Sequence, residues 1–170
     1  MTTEEELLLA TRAQTGDKEA LGLLWDAITP KLYGYCMNTL RDKTLAEDVY
    51  QQTWLKAIAN IQLFKPRGVR FSAWLFAIAR NECRQQWRTR THEPIDALHD
   101  DLAQSTTPRY EERLLIENIL NKLSETEREI LQLRYIADLS FREIASVLNI
   151  STISARVRAH RAIAQARKFI

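Results

Sequence analysis

Glycine and proline are scarce in this chain of 170 residues, four of each, and that scarcity argues against a loop-rich or sheet-built protein. Long stretches of Leu, Ala, Arg, Glu and Gln favour helix instead, and no pair of strand-like runs with a turn signal stands out. Cysteine is scarcer still. Cys36 and Cys83 make no disulfide framework, and neither sits in a Cys-x-x-Cys or Cys/His ligand spacing, so both are expected to be free, mostly buried thiols. No apolar run approaches the roughly 20 residues that cross a bilayer, and the opening MTTEEELLLATRAQ is acidic, without the basic start and apolar stretch of a signal peptide. A cytoplasmic protein with no membrane insertion is expected. Paired carboxylates at a metal spacing, a glycine-rich phosphate loop and Ser/His/Asp or Cys/His constellations are also missing, so no enzyme activity, metal or cofactor is expected. His92 and His99 fall in a polar stretch where exposed histidines are usually incidental.

What is present is ordinary for a folded protein, 45% apolar and 27% charged, but the net charge of +2 conceals a strong partition. Residues 1–64 hold six Lys/Arg against nine Asp/Glu, whereas residues 65–90 hold seven (Lys65, Arg67, Arg70, Arg80, Arg84, Arg88, Arg90) against Glu82 alone. Residues 91–110 turn acidic again. The stretch THEPIDALHDDLAQSTTPRY has two prolines, clustered Ser and Thr and no helical period, and reads as a tether. Thr107–Pro108 suits an N-cap followed by the first helical position. The fold expected is therefore all-α: a helical domain over 1–90, a flexible linker over 91–107 and a second helical domain over 108–170. Extended, such a linker reaches roughly 60 Å at about 3.5 Å per residue.

The clearest motif is SFREIASVLNISTISARVRAHRAIAQARK, residues 140–168. Ser140 and Glu143 form a capping box that starts a short helix, Ile144, Ala145 and Leu148 give it an apolar face, and Asn149 suits the left-handed turn that ends it. Ser151 or Thr152 then caps a second helix, in which Ile153, Val157, Ile163 and Ala164 are expected to pack inward. From 151 to 170 there are five basic side chains and no acid. A merely solvated face mixes signs and gains i,i+4 ion pairs, whereas unopposed cations suit phosphates, and a helix of this kind fits a major groove about 12 Å wide. The pattern is a helix-turn-helix that reads duplex DNA.

In the first domain, Leu21, Leu24, Trp25, Ile28, Leu32, Tyr35, Cys36 and Leu40 share one stripe of a long helix that Pro30 should kink or loosen. A second helix is expected to open at Thr44 with Glu47 completing a capping box, with Leu45, Val49, Thr53, Ala57 and Ile61 inward and Glu47, Asp48, Gln51, Gln52 and Lys56 outward. That outer face reflects the helix dipole or docks a basic partner. A third helix over about 72–90 has Trp74, Leu75, Ile78 and Ala79 as packing residues. Cations interleaved with aromatics suit single-stranded nucleic acid, where stacking contributes about 1–3 kcal/mol per base. This role falls on Phe64, Lys65, Ile78, Asn81 and Arg84.

The stretches AEDVYQQTW (46–54), FSAWLFAIARN within 64–87, and LSETEREILQLRYIADLSFREIASVLNISTISARVRAHRA resemble the extracytoplasmic-function sigma factors of the sigma-70 family, over nearly the whole chain and in the family's order. The resemblance implies an N-terminal domain that binds core RNA polymerase and captures the promoter −10 element, and a C-terminal domain that reads the −35 element. It implies polymerase contacts at Glu47, Asp48, Gln51 and Gln52. It implies −10 contacts at Asn60, Phe64, Lys65, Arg67, Ile78, Asn81 and Arg84, with residues 60–70 as the loop accepting an extruded base. Contacts at −35 would come from Arg156, Val157, Arg158, His160 and Arg161, and an anti-sigma factor would hold the protein in check.

Some residues depart from the family pattern. Gln51-Gln52-Thr53-Trp54 stands where Gln-Glu-Thr-Phe is usual, and binding to polymerase is expected to survive through Asp48. The KPRGVR loop is a residue longer than common versions. Ile153 replaces a usual glycine and Val157 a frequent serine, so the −35 preference does not transfer from relatives. Two other classes remain at this point: a stand-alone helix-turn-helix regulator, which leaves the first domain unexplained, and an enzyme acting on nucleic acid, which no constellation supports.

Overall fold

A computed structural model of the chain describes residues 1–66, 68–90, 116 and 118–169. The expected linker at 91–107, the Thr107–Pro108 helix start, His92, His99 and Arg67 lie outside the described residues. Every described regular element is helical.

The N-terminal unit consists of α1 (Thr3–Gln14), α2 (Lys18–Leu40), α3 (Lys43–Ala59), a 3-10 turn (Ile61–Leu63) and α4 (Phe71–Arg90). Helix α1 starts at a capping box between Thr2 and Glu5. Its buried Glu6 accepts a hydrogen bond from the Ser72 backbone N–H, placing a carboxylate at the start of α4, where the helix dipole favours it. Helix α2 runs through Pro30 as one element, with Leu24, Ile28, Leu32, Tyr35, Cys36 and Leu40 buried as the stripe predicts. Helix α3 opens two residues earlier than expected. Asp42, in extended backbone just after left-handed Arg41, caps the Leu45 N–H at 3.0 Å, so Thr44 is not the cap and Glu47 turns outward toward Lys43 and Tyr33.

The core between these helices is aromatic. Trp25 stacks on Trp54 at 4.6 Å between centroids, and Phe64, Phe71 and Trp74 form a triangle with centroids 5.5–5.7 Å apart. Such pairs add about 0.5–1.5 kcal/mol each beyond the area they bury.

The C-terminal unit has a helical stretch at 118–121, then α5 (Glu125–Tyr135), α6 (Phe141–Leu148) and α7 (Thr152–Ala166). Ser124 with Glu127, and Ser140 with Glu143, are capping boxes, and Asn149 ends α6 at φ +54 as its residue type predicts. Ser151, not Thr152, caps α7 by accepting from the Ser154 N–H at 3.1 Å.

Helix α7 corrects one expectation. Its buried residues are Ala155, Ala159 and Ala162, while Ile163 is half-buried, Ala164 is exposed, and Ile153 and Val157 point into solvent. Alanines win the inward stripe because a methyl lets α7 lie close against α5 and α6, where larger side chains would hold it off.

The two units touch. Helix α4 packs against α6 and α2 against α5, and the buried residues of both units form one continuous core.

Candidate nucleic-acid interface

Three surfaces carry the residues singled out by sequence. The first is the outer face of α3. Asp48, Gln51 and Gln52 are exposed there and Glu47 is half-buried. The stripe continues, one and two turns on, with Leu55 and Ile58, both exposed large apolar side chains. Sequence reasoning missed these two. Leu55 lies three and four residues beyond Gln52 and Gln51, and Ile58 three beyond Leu55, and this helical spacing was the available signal.

The second surface is the 60–70 loop with α4. Asn60 ends α3, its amide donating to the Lys56 carbonyl at 2.8 Å. The Gln14 side chain donates to the Ile61 and Phe64 carbonyls, both at 2.8 Å, so α1 holds the loop from beneath. Lys65 is exposed, whereas Phe64 is only 3% exposed, with its ring against Phe71 and Trp74. Here Phe64 is a wall of the core, and its two aromatic neighbours, Phe71 and Trp74, leave its ring no free face for stacking. On α4, Ile78 is half-buried, and exposed Asn81 and Arg84 line an open polar groove with Gln85 and Arg88.

Two arginines of the same cationic run are engaged elsewhere. Arg70 clasps Glu143 of α6, with Nε at 2.7 Å from Oε1 and Nη2 at 3.0 Å from Oε2, and Nη2 also donates to the Asp138 carbonyl at 2.7 Å. Glu143 additionally accepts from the Arg70 and Ser140 backbone N–H groups, at 3.3 and 2.8 Å. Burial pushes the Glu143 carboxyl up, but the Arg70 guanidinium and Ser140 outweigh it and hold it at about 2. Beside this clasp Gly68 sits at φ +77, a left-handed backbone conformation that favours glycine. Arg80 of α4 pairs with Glu129 of α5 at 2.6 Å, and the Thr39 hydroxyl donates to the Gln132 side chain at 3.0 Å. None of these pairings between units was foreseen, because each joins residues far apart in sequence.

The third surface is α7. Arg156, Val157, Arg158, His160 and Arg161 are all exposed, and among the described residues none of the three arginines has a carboxylate within ion-pairing distance. The Arg156 guanidinium lies 6.0 Å from the Phe141 ring of α6, which steadies it without neutralising it. At helical pitch Ile153, Val157 and His160 share one line, opposite the buried alanines.

Comparison with known proteins agrees with this layout. Residues 24–93 match the family described as sigma-70 region 2, and residues 113–165 match sigma-70, region 4. The RNA polymerase sigma factor CarQ of Myxococcus xanthus is 31% identical over 164 residues, covering 94% of each chain. The ECF RNA polymerase sigma factor EcfG of Rhodopseudomonas palustris is 32% identical over 140 residues, 77% of this chain and 75% of EcfG. Among solved structures, CnrH in complex with the cytosolic domain of CnrY superposes with a TM-score of 0.75 at 27% identity over 96% of both chains. The sigma factor RpoE in complex with the anti-sigma factor NepR, from Bartonella quintana, gives 0.70 at 25% identity over 88% of this chain and 95% of RpoE.

Proposed function

Since this chain belongs to the extracytoplasmic-function branch of the sigma-70 family, we infer that its three surfaces divide the work of promoter-specific initiation between them. The protein is an alternative sigma factor. Residues 1–90 act as the polymerase-binding and −10 unit and residues 108–170 as the −35 unit. The α3 face, Glu47, Asp48, Gln51 and Gln52 continued by Leu55 and Ile58, docks on core RNA polymerase. Polar groups there set register and apolar ones contribute buried area.

The loop at 60–70 with Lys65, Arg67, Ile78, Asn81 and Arg84 receives the −10 element. Extruding a base costs a few kcal/mol, which stacking and hydrogen bonds of similar size must return. The cationic face of α7 reads −35 bases and phosphates through Arg156, Val157, Arg158, His160 and Arg161. The protein acts by positioning polymerase and DNA, not as an enzyme, and works in the cytoplasm on the chromosome. Among the described residues no helix is long and apolar enough to cross a membrane. RpoE is solved with the anti-sigma factor NepR, and this chain is likewise controlled by an anti-sigma factor.

The observation that carries this reading is the match of both sigma regions to one chain, with an unneutralised cationic helix in the second. The test is transcription by core polymerase on a promoter library, with and without the protein. Sequence-specific starts that require both components are expected, with weak promoter binding by the protein alone. No start above background, or tight dimeric binding to duplex half-sites without polymerase, would point instead to a stand-alone regulator.

A further inference from the structure

Ile153 is 75% exposed, more than any other large apolar side chain among the described residues, and Val157, one turn on, is 42% exposed. Neither helps hold the fold. Both are β-branched, so each costs a few tenths of a kcal/mol of helix propensity relative to alanine. They form an outward pair of branched apolar groups on a helix that otherwise presents Arg156, Arg158, His160 and Arg161. Branching at Cβ also leaves them nearly one rotamer in a helix, so they approach a partner already ordered.

The surroundings of this pair select its partner. Residues 151–170 contain five cations and no acid, which suits a polyanion far better than an apolar protein surface. Ile153 lies in the first turn of α7, just after the Ser151 cap, and the N-terminal residues of such a helix meet base edges in the major groove. Only one group in that groove is apolar, the C5-methyl of thymine.

We infer that Ile153 and Val157 select thymine in the −35 element by packing on its C5-methyl group, so that part of the promoter preference is read by burial and not by hydrogen bonds. This rests on α7 being the −35 reader. Arginines on either side fix register and bond to guanine and phosphate. The branched pair fills the space a hydrogen-bonding side chain would occupy and disfavours cytosine, whose C5 position carries only hydrogen.

The test replaces thymine by deoxyuridine, which removes the methyl and leaves every hydrogen-bonding group in place. The full chain and core polymerase first select −35 sequences from a library. Each thymine on either strand of the preferred element is then changed to deoxyuridine and initiation is measured. At one or two positions the loss of the methyl should reduce initiation about three- to fivefold, as expected for one buried methyl-sized group. In Ile153→Ala, Val157→Ala or the double variant the ratio of thymine to deoxyuridine at those positions should fall to about one. Arg161→Ala should lower output on both templates and keep the ratio. These side chains are exposed, and an unchanged thermal melt verifies that the variants are folded.

The inference is overturned if the selected element lacks thymine, if deoxyuridine is neutral at every position, or if the double variant keeps the discrimination. It is equally overturned if the apolar variants leave promoter choice intact and weaken binding to polymerase or another protein. A library with no −35 preference at all removes the underlying reading too, and is thereby distinguished from failure of the methyl contact alone.

Discussion

Helices α4 and α7 are both cationic in sequence, yet their charges end up differently. In the N-terminal unit Arg70, just before α4, and Arg80, within it, are neutralised by Glu143 and Glu129 of the other unit. On α7 the three arginines face solvent with no acid beside them among the described residues. The net charge of a helix is therefore a poor measure of the charge it offers to DNA. Glu129 of α5 and Glu143 of α6 reach across the seam between units to α4 and the residue before it, and leave the α7 arginines without a carboxylate partner among the described residues.

Breaking the seam gives the largest expected effect. Glu143→Gln leaves the Arg70 guanidinium half-buried without its charge partner, and should cost about 3 kcal/mol of stability in chemical denaturation. Arg156→Ala, on the open helix, should change stability by less than about 0.5 kcal/mol. Equal effects would erase the distinction between the helices.

Acid should act on the same contrast. The Glu143 carboxyl titrates at about 2 in the folded chain against an ordinary 4.5, so its contribution is complete above 4.5 and is lost as pH falls toward 2. In thermal melts, the gap between the wild type and Glu143→Gln should narrow steadily over that window. A gap independent of pH would mean that the carboxylate charge is not what binds Arg70.

Function should separate the helices next. Arg161→Ala removes an exposed cation, unpaired among the described residues, from the proposed reading face and should lower −35-dependent initiation by about 1–3 kcal/mol, roughly 5- to 150-fold. Arg80→Ala should show chiefly as lost stability, since that side chain is bound to Glu129. Ser151→Ala deletes the α7 cap and should cost about 1 kcal/mol in a melt. The smallest effect belongs to Lys31→Ala. Its pair with Asp138 is exposed on both sides and contributes no more than a few tenths of a kcal/mol.

Local signals were legible. The Ser140–Glu143 box, left-handed Asn149 and the α2 stripe all stand as sequence predicts, because each depends on neighbours within a few residues. The Thr2–Glu5 box was equally local and would have revealed α1. What sequence could not supply was competition between distant groups. Glu143 reads as a cap and is also the partner of Arg70, 73 positions away. Phe64 reads as a stacking platform until Phe71 and Trp74 close over it. Ile153 and Val157 read as core by hydrophobicity, since only the depth of the groove between α5 and α6 reveals that alanine is wanted there.

Because α7 meets its neighbours chiefly through Ala155, Ala159 and Ala162, the scaffold is nearly indifferent to what stands on the far side of the helix. On the proposed reading of α7, changes at positions 153, 157 or 160 would rewire a regulon one step at a time without a toll on folding. An extra methyl at buried position 159 would do the reverse, lifting the helix and, on the same reading, shifting its proposed base contacts together.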